Sequence, residues 1–269
     1  MDQDYEAELQ VWAERDPREY GQPFSVWTCA DLVRCMAEEG YVQVSGESVR
    51  RHLHRLAYRV LRPVLHINSP DPEYDRKAER LEELKAQARR GEITLLFEDE
   101  VDLNLLPGVI GCWTRRGEQR KIPTPGQNQK RYGFGTVNYT NGRLTRCFGE
   151  HKDSAGFCAL VEQVVQAYCP GQVWKGPRVF LVVDNYIIHR SKHTQALLAH
   201  YADRLSVMAL PTYSPKLNLI ELLWKYLRRK VTHNHLFESI TQLLEAVEAF
   251  FRRLDNNLAE ILSVIGNPA

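Results

Sequence analysis

The sequence has almost no net charge, no long apolar run and no paired cysteines, and each lack removes a class of protein. Lys and Arg total 35 against 34 for Asp and Glu, a formal charge of +1 over 269 residues. Bulk charge therefore gives no reason to expect a nucleic-acid partner. Apolar runs such as Val179 to Val183 are a handful of residues long, far below the roughly 20 that a membrane-spanning helix needs. The 6 cysteines include no C-x-x-C pair, which excludes a zinc knuckle or disulfide framework and leaves small buried hydrophobes as the reading. Gly 16 and Pro 13 together make up about a tenth of the chain, too little for a linker-like or disordered protein. The amino terminus, MDQDYEAELQ, is acidic where a secretory signal is basic and then apolar, so a cytoplasmic location is expected. What remains is an ordinary globular chain, 43% hydrophobic, with room for one full core or two domains of unequal size.

Position shows what composition hides. Residues 1 to 20 hold seven acids (Asp2, Asp4, Glu6, Glu8, Glu14, Asp16, Glu19) against Arg15 and Arg18. Residues 50 to 62 hold Arg50, Arg51, Arg55, Arg59 and Arg62 with no acid. A second basic run, Arg115, Arg116, Arg120, Lys121, Lys130 and Arg131 against Glu118, lies in a Gly- and Pro-containing stretch that reads as loop. Local basic patches on a neutral chain suit phosphate binding, although either run alone is equally well a solvated face.

Thr28 with Asp31 three residues on signals a helix start, and Leu32, Val33, Met36 and Ala37 give it an apolar stripe that Gly40 ends. Ser45 is placed to cap a second helix with Val49, Leu53 and Leu56 inward and Glu47, Arg50, Arg51 and His54 outward. Two short helices with a tight turn and a basic outer face predict a helix-turn-helix. Pro63 to Pro72 reads as a connector, followed by a charged helix from Glu73 to Arg90. From Glu92 the pattern changes to strands: ITLLFED, then Tyr132 to Tyr139, an Asn141-Gly142 turn, and Arg143 to Phe148. A helix (Ala155 to Tyr168), a strand (Arg178 to Val183), a helix (Ser191 to Tyr201), a strand (Leu205 to Ala209) and a helical region from Leu217 follow. This order predicts an α/β fold of ribonuclease H-like type, a mixed five-stranded sheet flanked by helices, behind a small all-α domain. The expected domains are 1–65, helix-turn-helix with an acidic N-terminal extension; 66–91, connector and linking helix; and 92–269, the α/β domain.

Three carboxylates hold chemically suggestive places. Asp99 ends the first strand and shares a face with Leu95 and Phe97, opposite Leu96, Glu98 and Glu100. Asp184 follows the apolar strand Val179 to Val183, at a carboxyl end where α/β sheets place their sites. Glu221 lies on a helix burying Ile220, Leu223, Trp224 and Leu227, where its plain reading is a surface pair with Lys225. A ribonuclease H-like fold brings the three together, and like charges in one place need cations, most naturally two Mg²⁺ or Mn²⁺ ions able to catalyse phosphodiester displacement.

The segments LLFEDEVDL, GCWTRRGEQRKIPTPGQNQKRYGFGTVNYTNGRL, VFLVVDNYIIHRS and LPTYSPKLNLIELLWKYLRR resemble those of mariner-like DDE transposases, in particular the bacterial insertion-sequence 630 family. Residues 27 to 63 resemble that family's second helix-turn-helix. The resemblance implies a transposase that cuts DNA at transposon ends and joins the 3′-hydroxyl to target DNA at TA, with Asp99, Asp184 and Glu221 as the metal-holding catalytic triad. Leu219 stands where the family usually has proline, altering only the approach to the helix. The chain begins just ahead of the second helix-turn-helix, so weak recognition of transposon ends is expected. An inactive copy that only binds DNA, and another ribonuclease H-like nuclease, are the competing readings. His189 is a candidate metal ligand, general base or local structural residue, and Asn185 a candidate support for Asp184 or a metal-bound water. The expected DNA contacts are Glu47, Arg50, Arg51, His54 and Arg55 with Arg115, Arg116, Lys130 and Arg131. Trp113 and Trp224 read as loop or core anchors. Double-stranded DNA, both ends and target, and a second copy of the chain are the expected partners, with no membrane.

Overall fold

The computed structural model describes residues 3–61 and 69–267, with side chains from Asp4 onward. Arg62, residues 63–68 of the connector and the expected boundary after residue 65 lie outside the described residues. The chain divides into two units, Met1–His66 and Ile67–Ala269.

The first unit packs three helices, α1 (Gln3–Glu14), α2 (Cys29–Glu38) and α3 (Gly46–Arg55). Thr28 and Asp31 form a reciprocal capping box at the start of α2, and the Ser45 hydroxyl accepts the Ser48 N–H at the start of α3. Gly40, at φ +92°, makes the turn after α2 that a residue with a Cβ would resist. The helix-turn-helix is as the caps predict. The acidic extension is more than that, because α1 contributes Tyr5, Leu9 and Trp12 to the core formed with Leu32, Met36 and Val49.

In the second unit the sheet order is β3-β2-β1-β4-β5. The strands are β1 (Ile93–Asn104), β2 (Lys130–Asn138), β3 (Leu144–Gly149), β4 (Arg178–Val183) and β5 (Leu205–Ala209). Antiparallel pairing of β1, β2 and β3 and parallel pairing of β1, β4 and β5 give the ribonuclease H-like arrangement. The first strand runs five residues beyond its predicted end at Asp99, because β2 pairs along it as far as Asn104. Pairing with β4 stops at Phe97 opposite Val182. Residues 98–100 therefore lie just beyond the parallel ladder, beside the chain leaving β4.

One face of the sheet carries Leu95, Phe97 and Val101 of β1 against α7 (Ile220–Leu227), α8 (Ile240–Asp255) and α9 (Leu258–Val264). The expected linking helix, α4 (Tyr74–Arg89), belongs to this same core through Leu81, Leu84 and Ala88. The other face carries Leu96 and Leu181 against α5 (Ser154–Tyr168) and the second half of α6 (Lys192–His200). Of the cysteines, Cys35, Cys158 and Cys169 are buried as expected, whereas Cys112 is exposed. Trp224 is a core residue, but Trp113 is fully exposed and anchors nothing.

Candidate active site and basic surfaces

Asp99, Asp184 and Glu221 line one cavity of about 450 Å³, together with Asn185, Tyr186 and Tyr213. Each arrives by a different route. Alternation along β1 turns Asp99 to the α7 face. Asp184 is the first residue past β4. Glu221 reaches the cavity because α7 lies tightly on β2: a Cβ at Gly135, the residue paired with Asp99, would come within 2.7 Å of the Trp224 ring. Trp224 sits one turn beyond Glu221, so the close approach that glycine permits sets the carboxylate's position. Asn218 fixes the other end. Its buried amide donates to the Glu98 carbonyl at 2.7 Å, tying the turn before α7 to β1. This tie was not recognised in the sequence, although Asn218 sits in the motif that carries Glu221.

Burial pushes the Asp99 carboxyl up to about 8, and the neighbouring charges of Glu221 and Glu100 add to the effect. Asp184 behaves oppositely. Partial burial would raise it, but His189 Nε2 donates to its Oδ1 at 3.0 Å and the Tyr186 N–H donates at 2.8 Å, holding it below the usual carboxylate range. The cavity thus places a carboxyl that resists ionisation beside one that is kept ionised.

His189 is buried, with its ring edge against Phe157, and is the direct support of Asp184. Of the two roles expected of Asn185, support of Asp184 is not the one its contacts show: its side-chain amide donates to the Leu210 carbonyl at 2.5 Å, and its main-chain carbonyl accepts from Arg190. It clips the chain after β4 to the chain after β5 and does not hold Asp184. On the opposite face of β1, Glu98 and Glu100 lie buried near His189, and Lys152 pairs with Glu100 at 3.2 Å. Burial first, then like charge from Glu100, drives Glu98 well above its ordinary range. Burial also raises Glu100, against the pull of His189 and Lys152.

The basic stripe of the first unit is less free than its sequence suggests. Both Arg50 and Arg51 bind Glu47, at 2.8 and 3.1 Å, and these two guanidiniums hold Glu47 down to about 2. Arg55 and His52 both bind Glu6 of α1. His54 stays exposed on the outer face. In the second unit Arg115 and Arg116 lie in an irregular, exposed stretch, while Lys130 and Arg131 begin β2 opposite Asn104 and Leu103. Those partners are five and four positions along β1 from Asp99, and none of these four basic residues lines the carboxylate cavity.

The family described as DDE superfamily endonuclease matches residues 94–244. A protein of Shigella sonnei described as the insertion element IS630 uncharacterized 39 kDa protein is 32% identical over 244 residues, covering 90% of this chain and 68% of its own length. Among solved structures, the Mos1 mariner paired end complex with Mn matches with a TM-score of 0.65 at 17% identity, over 97% of this chain and 74% of that one. The Mos1 transposase paired-end complex with left transposon end gives 0.62 at 16% identity, over 98% and 79%. These two likenesses establish a shared fold. Among the described residues, no helix is long and apolar enough to cross a membrane.

Proposed function

This chain belongs to the DDE superfamily endonucleases and is related to the protein of insertion element IS630, and from that premise we propose that it is a transposase cutting DNA at the ends of its element and joining the freed 3′-hydroxyl to target DNA. The observation carrying this reading is the convergence of Asp99, Asp184 and Glu221 on one cavity where Asp99 resists ionisation. Crowded carboxyls of this kind fit a divalent cation, which favours their charged forms. We assign them to holding Mg²⁺ or Mn²⁺, two ions in all, in keeping with related Mos1 complexes described as containing Mn or Mg. When bound, such ions activate water or a 3′-hydroxyl and stabilise the departing oxygen of a phosphodiester.

The protein's own groups prepare the site. His189 Nε2–H keeps Asp184 in one orientation and ionised, Asn218 holds the turn before α7 on β1, and Gly135 admits Trp224 so that Glu221 reaches the cavity. Residues 1–65 are assigned to DNA recognition, with Arg50, Arg51 and His54 reaching the duplex from α3, 66–91 to connection and 92–269 to catalysis. Arg115, Arg116, Lys130 and Arg131 are assigned to phosphates outside the cavity, and TA is assigned as the target dinucleotide on the sequence resemblance alone. Solved relatives are described as paired-end and strand-transfer complexes, which supports two copies of this chain acting on two ends.

Incubating the protein with a duplex bearing its element's terminus, a plasmid target and Mg²⁺ or Mn²⁺ tests the reading. The expected products are cleaved ends joined to plasmid at TA. Binding without cleavage would mark a DNA-binding remnant, and cleavage without joining a different nuclease.

A further inference from the structure

Behind the cavity lies a second set of donor atoms to which the proposed reaction gives no task. Alternation along β1 turns Glu98 and Glu100 away from Asp99. Their carboxylates meet the imidazole of His189, with Glu98 Oε2 and Glu100 Oε1 each 3.8 Å from Nε2. One donor atom from each of the three residues lies within 4.8 Å of the others. Glu98 is 0% exposed, and neither of its oxygens has a hydrogen-bond partner. Glu100 is also buried, and His189 Nδ1 is buried without a partner.

Charge balance makes the arrangement incomplete. With their carboxyls ionised, Glu98, Glu100 and Asp184 would bring three negative charges around the His189 imidazole, and Lys152 returns one positive charge. Two charges would be left in a sector where Glu98 has no access to water, which is unfavourable unless a cation or protons intervene. Metal–ligand bonds of about 2.0–2.2 Å allow one ion to span donors 3.8 Å apart. Two carboxylates with one imidazole suit Zn²⁺ or Mn²⁺ better than Mg²⁺, which prefers oxygen alone.

We propose that Glu98, Glu100 and His189 form a metal site of their own for a divalent first-row ion, Zn²⁺ or Mn²⁺, separate from the catalytic carboxylates and locking β1 to the segment after β4. Binding moves the proton that Nε2 shares with Asp184 Oδ1 to the unpartnered Nδ1, so the imidazole stays neutral while Nε2 takes the metal, and any proton on the two glutamates leaves to solvent. The site goes beyond the transposase reading and does not depend on it.

The test uses the full chain carrying D99N and E221Q in every arm, so that two of the three cavity carboxylates are already neutral and activity plays no part. After chelation and dialysis, Zn²⁺ is titrated against a chromophoric chelator and Mn²⁺ is followed by electron paramagnetic resonance. One ion per chain is expected, with affinity lowered at least about 100-fold by E98Q, since losing a ligand exceeds the effect of losing its supporting residues. Metal-free E98Q is expected to melt at or above its parent's temperature, because the amide has no charged form to be desolvated, and to lose the parent's rise in melting temperature on ion addition. No stoichiometric ion, or an ion held equally well by E98Q, overturns the proposal. So does an ion retained by E98Q and lost on adding D184N, which places it in the cavity. Failure here leaves wild-type cleavage untouched, so it is distinguishable from failure of the transposase reading.

Discussion

At the scale of single residues, the site depends on where β1 points its acids. A carboxyl raised to about 8 stabilises the fold fully below its unfolded value near 4, and that contribution is lost as pH rises toward 8. Metal-free protein is therefore expected to lose stability between pH 4 and 8. D99N should remove about 1.4 kcal/mol per pH unit of that slope, and added Mg²⁺ should flatten it in the wild type alone. Denaturant melts across the pH range check this; an unchanged slope in D99N would show that Asp99 ionises freely. The aim of Asp99 was legible, since strand alternation alone separates it from Glu98 and Glu100. The partner of Asn185 was not, because the Leu210 carbonyl it meets lies 25 residues away and only the sheet brings them together.

At the scale of elements, local chemistry was readable and distant packing was not. Thr28, Asp31 and Ser45 cap with groups three residues away, so α2 and α3 follow from sequence. In α1 the spacing of Tyr5, Leu9 and Trp12 marks a buried helical stripe, but seven acids in 20 residues masked it. Trp12→Ala is accordingly expected to destabilise the first unit by about 3–5 kcal/mol, measured by chemical denaturation, where a solvated extension would lose nothing. On α3, Arg50 and Arg51 share Glu47, so R50A/R51A should lower the salt slope of DNA binding by about 0.9 per lost phosphate contact, while E47A should strengthen binding by removing a negative charge. An unaltered slope and affinity in both would make the stripe a solvated face. Arg55, bound to Glu6 of α1, is expected to affect melting of the first unit as well as DNA affinity. Leu219 already has φ −66° and ψ −26°, and Asn218 before it is extended, so L219P should fit with a stability change within about 1 kcal/mol. A large loss on thermal melting would mean that the Leu219 side chain matters more to the core than the turn does.

At the scale of the whole molecule, the order of strands and helices carried the fold, because few arrangements place three antiparallel strands before an αβαβα run. The same order brought Asp99, Asp184 and Glu221 to one cavity from positions 85 and 37 residues apart, a convergence the sequence suggested only through the fold. The role of α4 was hidden for the complementary reason: its few apolar residues read as a linker until the core they fill is assembled. The central claim is that these three carboxylates hold divalent ions for cutting DNA. The most direct measurement is cleavage of an element-end duplex by the full chain and by D99N, D184N and E221Q, each with Mg²⁺, Mn²⁺ or chelator, with binding to the same duplex followed in parallel. Metal-dependent cleavage by the wild type alone, lost at least about 1,000-fold in every variant with binding preserved, is the predicted result. Cleavage in chelator, or near-wild-type cleavage by any one variant, would contradict it.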